Sequence, residues 1–210
     1  MNRRIKVALI GNPNTGKSSV FNLLTGLQQK TGNYPGITVE KKEGYCRLTK
    51  GVSATIFDLP GTYSLNASSL DENIVIELLM NRKHEDFPDV AVIVADIENI
   101  KRNLLLFTQI KDLGIPSILV VNRSDRMRRK GISLDVEKME EELNTKIVLT
   151  STLKKEGTRP ARRPDPSRPD PRPTRPVATL VMTTRVSAVL PSAGRPRPAR
   201  GRLAGHQRAE

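Results

Sequence analysis

The chain has 210 residues, 35 Lys+Arg against 22 Asp+Glu, and one cysteine, Cys46. A lone cysteine excludes an internal disulfide framework, and no apolar run approaches the ~18 residues of a membrane-spanning helix. The formal net charge of +13 points to a nucleic-acid partner only until it is divided: residues 1–157 carry 23 basic and 19 acidic side chains, residues 158–210 carry 12 and 3.

The first predicted strand, 5–10, is Ile5-Lys6-Val7-Ala8-Leu9-Ile10. Its apolar part is too short for a secretory signal, so the chain as written is expected in the cytoplasm. The loop that follows, Gly11-Asn12-Pro13-Asn14-Thr15-Gly16-Lys17-Ser18, has the full phosphate-loop pattern G-x-x-x-x-G-K-S. A helix over 17–26 follows, with Val20, Leu23 and Leu24 at helical spacing. Glycines let the backbone wrap a phosphate, and successive N–H groups with the positive helix end face the anion. Lys17 adds a charge for the outer phosphates, the Ser18 hydroxyl is a Mg²⁺ ligand, and Ser19 completes the contact set. The pattern implies a bound nucleoside triphosphate.

The next strand is placed at 38–48. In the segment before it, Gly36, Ile37 and Thr38 are candidate nucleotide contacts, and Thr38 is a second candidate Mg²⁺ ligand. Strand 53–58 ends in Asp58-Leu59-Pro60-Gly61. There Asp58 can hold Mg²⁺ through a water and Gly61 can offer its N–H to a γ-phosphate. Thr62 stands where many small GTPases carry a water-orienting glutamine, so hydrolysis should be slow or helped by other groups. No side chain is an evident general base; Asn14, Lys17 and Gly61 act by positioning.

A helix is placed at 70–81 and a strand at 90–95. A helix over 100–112 starts at Asn99 as N-cap and stops at Gly114, with Pro116 beyond. Strand 117–122 ends in Asn122-Arg123-Ser124-Asp125, the N-x-x-D core of a guanine-reading element. Asp125 accepts from the guanine N1–H and amine, a donor pair that adenine lacks. Asn122 braces the loop, and Arg123 can stack on the base as the more usual lysine does. A helix over 135–143, capped by Asp135, leads to strand 147–150. Ser151-Thr152-Leu153 then falls where a backbone loop touches the guanine carbonyl. Strands alternating with helices imply an α/β fold: a doubly wound, mostly parallel sheet of the P-loop NTPase (G domain) type, with sites at the carboxyl ends of the strands.

At Gly157 the composition changes. All 14 lysines precede it, whereas 10 of the 15 prolines follow it. Residues 158–210 are expected to be a disordered Arg/Pro-rich tail, separate from a domain at 1–157. Two readings of it stand: a basic arm contacting RNA, DNA or acidic lipid, or the product of a shifted reading frame, since the residues gained have GC-rich codons and those lost AT-rich ones. The tail lacks aromatics for base stacking, so no nucleic-acid partner is expected.

Taken together, the phosphate loop, Asn33-Tyr34-Pro35-Gly36-Ile37-Thr38-Val39-Glu40, Asp58-Leu59-Pro60-Gly61-Thr62-Tyr63-Ser64-Leu65, and Asp96 with Arg102-Asn103-Leu104 and Gln109 resemble the N-terminal G domain of ferrous iron transport protein B. The resemblance covers about residues 4–157. It implies binding of GTP and GDP with Mg²⁺, slow GTP hydrolysis, and regulation of Fe²⁺ uptake through a membrane domain in cis, at the cytoplasmic face of the membrane. It also implies stimulation by K⁺, with Asn14 as ligand. The family continues with a last helix, a helical domain and membrane spans. Without that helix, strands 5–10 and 147–150 are expected to be exposed and stability lowered. Arg123 replaces the apolar residue usual in this family. The alternatives are an RNA- or ribosome-associated GTPase with a basic tail, and a non-functional truncated product.

Overall fold

The computed structural model describes residues 3–26, 29–34, 39–49, 51–66 and 69–152. The predicted tail at 158–210 lies outside them, as do Gly36, Ile37, Thr38 and Leu153. The strands are β1 (Arg3–Gly11), β2 (Gln29–Asn33), β3 (Glu40–Thr49), β4 (Val52–Asp58), β5 (Val90–Asp96), β6 (Ser117–Asn122) and β7 (Lys146–Leu149). The helices are α1 (Lys17–Thr25), α2 (Leu70–Met80), α3 (Ile100–Asp112), α4 (Arg126–Lys130) and α5 (Val136–Glu142), with a 3₁₀ turn at Ile97–Asn99. Each predicted element is present, α3 and β6 with the expected bounds and the others with ends shifted by a residue or two; β2, α4 and the 3₁₀ turn are additional.

The seven strands form one sheet in the order β2-β3-β4-β1-β5-β6-β7. β2, β3 and β4 pair antiparallel, and the remaining pairs are parallel. The uninterrupted apolar runs of the central strands reflect burial on both faces. On β5, Ala91, Ile93 and Ala95 enter the core beneath α2 and α3, whereas Val90, Val92 and Val94 enter the core that takes Val20, Phe21 and Leu24 of α1. On β1, Ala8 and Ile10 divide from Ile5, Val7 and Leu9 in the same way.

Exposure of 5–10 and 147–150 is therefore corrected. Ile5, Val7, Leu9, Ile147 and Val148 are all buried. β7 is open at its two ends, Lys146 and Leu149, the latter 38% exposed. β1 lies between β4 and β5 in the sheet, so its edges are paired and its faces packed.

Helix ends follow the local chemistry. The Asp135 carboxylate accepts from Lys138 N (3.0 Å), and Ser69 Oγ accepts from Glu72 N (3.3 Å). Asn99 precedes α3 as expected, but its side chain makes no capping bond. Gly114 takes a left-handed φ of 70° after α3.

Candidate functional site

β1 runs straight into the phosphate loop, and the register of the sheet collects the other segments beside it. Leu9 pairs with Asp58 at the end of β4, Gly11 with Val94, and Asp96 with Asn122. The carboxyl ends of β4, β1, β5 and β6 thus converge, where ligands of doubly wound sheets bind.

Inside the loop, Gly16 has φ 85°, and a Cβ there would lie 2.2 Å from Asn122 Nδ2. Only glycine fits. Thr15 Oγ1 donates to Asn12 O (3.0 Å), tightening the turn. The ladder of α1 opens with Val20 N donating to Gly16 O (3.0 Å), so the N–H groups of Lys17, Ser18 and Ser19 precede it and are available to an anion. Asn12, Pro13, Asn14, Gly16, Lys17 and Gly61 line a cleft of about 330 Å³ there. Both amide atoms of Asn12 are buried without a protein partner among the described residues. Buried polar atoms beside an N–H-rich cradle fit a polar, anionic ligand.

Lys17 Nζ donates to Asp58 Oδ1 (2.7 Å), and Ser18 Oγ donates to Asp58 Oδ2 (3.2 Å). A hydroxyl and a carboxylate at the head of α1 form a hard-oxygen pair that suits Mg²⁺ carried by phosphates. Among the described residues no group of three or more His, Cys, Asp or Glu side chains could hold a metal by itself. Gly61 packs on Pro13: a Cβ would come within 3.1 Å of Pro13 Cγ.

At the base end, Asn122 joins three segments. Its Nδ2 donates to Thr15 O (3.0 Å), and its Oδ1 accepts from Thr150 Oγ1 (3.2 Å) and Thr152 Oγ1 (3.3 Å). Ser151 Oγ donates to Asp125 Oδ1 (2.6 Å), which ties the 150–152 loop to the carboxylate of the N-x-x-D segment. Ser124 N bonds Thr150 O (2.9 Å) from the same loop. Arg123, at φ 62°, reaches Asp96 and the Asn14 carbonyl.

Thr62 is fully buried, its hydroxyl within reach of Ser64 O (2.7 Å) and Glu72 Oε1 (3.2 Å). It is held by the protein rather than aimed at a ligand.

Sequence reading did not assign roles to several supports. Glu72 is buried against Thr62 and accepts from Tyr63 N (3.4 Å). Asn103 Oδ1 accepts from Asp96 N (2.8 Å), and Gln109 Oε1 accepts from Leu65 N (2.9 Å). An Arg126–Glu98 hydrogen bond holds the Glu98 carboxyl below its ordinary range. The signal available for Asp96 was its place at the end of a buried strand. Tyr34 is buried, with Lys41 Nζ 5.9 Å from its ring centre, and its hydroxyl has no hydrogen-bond partner among the described residues. Burial first, and then the Asp86 and Asp58 carboxylates, push that phenol above its ordinary range.

The family model described as ferrous iron transport protein B matches residues 5–163. The chain belongs to this family. It is 43% identical over 151 residues to the Fe(2+) transporter FeoB of Leptospira biflexa serovar Patoc, covering 72% of this chain and 21% of that protein. It is 39% identical to the Fe(2+) transporter FeoB of Salmonella typhimurium, covering 71% of this chain and 19% of that protein. The chain thus spans about a fifth of the length of these relatives. Its structure is similar to the G domain of the T. maritima FeoB iron transporter, with a TM-score of 0.65, 39% identity, and coverage of 72% of this chain and 90% of that one. A GDP-bound mutant of the S. thermophilus FeoB G-domain matches with a TM-score of 0.64 and 41% identity, over 71% of this chain and 55% of that chain. The fold of this FeoB-family chain is that of a P-loop GTPase domain. Among the described residues no helix is long and apolar enough to cross a membrane.

Proposed function

We propose that this chain binds GTP and GDP and hydrolyses GTP slowly. In a longer protein of this family it would serve as the cytoplasmic regulatory domain of a ferrous iron transporter. The observation that carries this is the Asn122–Thr15 bond, which locks an N-x-x-D base loop onto a phosphate loop at one site. Residues 1–157 form the nucleotide domain in this reading, and residues 158–210 are a separate segment.

The loop amides and Lys17 bind the phosphates, Asp125 reads the guanine edge, and Asn122 with residues 150–152 holds that reader in place. Ser18, with Asp58 behind it, fits Mg²⁺; Thr38 would be the second side-chain ligand. Mg²⁺ would neutralise charge on the phosphates. Asn14 lies exposed at the crest of the loop in a left-handed conformation, where its side chain fits a K⁺ ligand role. With Thr62 buried and bonded, the chain supplies no side chain to orient water from that position, and hydrolysis rests on charge and positioning.

Titration with a fluorescent GTP analogue, with ATP as competitor, tests binding. Phosphate release with and without K⁺ tests turnover. Equal competition by ATP and GTP would overturn the guanine assignment.

A further inference from the structure

Two consecutive carbonyls of the phosphate loop are held from the base loop. Asn122 Nδ2 donates to Thr15 O (3.0 Å), and Arg123 donates to Asn14 O (2.9 Å). The same guanidinium forms an ion pair with Asp96 Oδ2 at 2.6 Å. Asp96 is a firm anchor. It is buried, its Oδ1 accepts from Glu98 N (3.1 Å), and its own N–H donates to Asn103 (2.8 Å). The planar fork of an arginine reaches both partners at fixed separation, which a lysine cannot do.

A trans peptide is planar, so holding a carbonyl aims the N–H of the next residue the opposite way. The bond to Asn14 O therefore aims Thr15 N–H, as the bond to Thr15 O aims Gly16 N–H. Asn14 sits at φ 64°, a left-handed conformation that asparagine adopts comparatively readily, and Arg123 at φ 62°, one that an arginine holds only when its surroundings impose it.

We infer that Arg123 is a positioning residue for nucleotide retention: it clamps the crest of the phosphate loop to the end of β5 and thereby limits how fast guanine nucleotide leaves. Because it acts on the phosphate-facing amides, it leaves base selection to Asp125. The inference rests on the guanine-nucleotide reading above.

Stopped-flow release of mant-GDP from the full chain tests it with Arg123→Met, Arg123→Lys, Asp96→Asn and the Arg123→Met/Asp96→Asn pair. Arg123→Met should release about tenfold faster, the loss of a charge-assisted bond pair. Arg123→Lys should fall between wild type and Arg123→Met. Adding Asp96→Asn to Arg123→Met should change release by less than about twofold, since both act through one contact. The preference for GDP over IDP should stay constant throughout. Release from Arg123→Met at the wild-type rate would overturn the clamp. So would a changed GDP-to-IDP preference, which would mark Arg123 as a base contact. Wild-type chain with no mant-GDP binding would instead overturn the nucleotide reading and the clamp with it.

Discussion

Lys17 Nζ donates to Asp58 Oδ1 across 2.7 Å, and the two side chains are 12% and 4% exposed. The pair links the head of α1 to the end of β4, and with Ser18 it places a cation, a hydroxyl and a carboxylate together. Lys17→Met would leave the buried Asp58 carboxylate without its cation, at a cost of about 3 kcal/mol. Urea denaturation should show that loss, and GTP titration should show affinity falling with it. An unchanged urea midpoint would mean that the pair contributes nothing to folding.

In the proposed reading Asp125 accepts two donors from guanine. Asp125→Asn puts an amide donor where guanine also donates. Affinity for GDP should drop about 100-fold, or ~2.7 kcal/mol. Xanthosine diphosphate, which presents an acceptor there, should regain binding. Competition titration with the two diphosphates checks the reversal.

Gly16→Ala should be much worse than Gly131→Ala. At Gly16 a Cβ would lie 2.2 Å from Asn122 Nδ2 with φ 85°; at Gly131, φ is 62° with nothing within 4 Å. Strain alone costs about 1–2 kcal/mol, and the clash with Asn122 adds to it. Thermal melts should separate the two variants, and only Gly16→Ala should lose nucleotide binding.

Tyr34 gives a pH signature. Its hydroxyl is buried and unpartnered among the described residues, so Tyr34→Phe should be neutral or stabilising by about 1 kcal/mol at pH 7. Burial, with the Asp86 and Asp58 carboxylates, holds the folded-state phenol above its ordinary range. Above pH 10 the unfolded phenol releases its proton while the folded one keeps it, so this group's contribution falls as pH rises. Each pH unit in that window removes about 1.4 kcal/mol from the wild type relative to Tyr34→Phe. Denaturation of both proteins at pH 8 and pH 11 should show the gap widening; a constant gap would contradict the burial argument.

The strands at the centre were legible because their apolar runs reflect burial on both faces, and the motifs because glycine and charge at fixed spacing leave few other uses. β2 was not legible. Gln29–Asn33 is exposed along its whole length and carries no apolar alternation; it is a strand because it pairs with β3, Gln29 opposite Gly44 and Asn33 opposite Glu40. α4 is five residues ending at Gly131, too short for a periodic signal. The exposure expected for 5–10 and 147–150 failed because it was argued from a missing helix rather than from the packing around each strand.

The sequence by itself determined the main alternation of strands and helices, the phosphate-loop pattern, the N-x-x-D pattern and the family, because each depends on residue types within a few positions of one another. Tertiary structure alone decided who touches whom at the site. Arg123 meets Asp96 and Asn14, Thr62 is turned toward Ser64 and Glu72, and Lys17 is bonded to Asp58. The reason is the register of the sheet: pairing Leu9 with Asp58 and Asp96 with Asn122 brings together strand ends far apart in the chain, and no local spacing encodes that alignment.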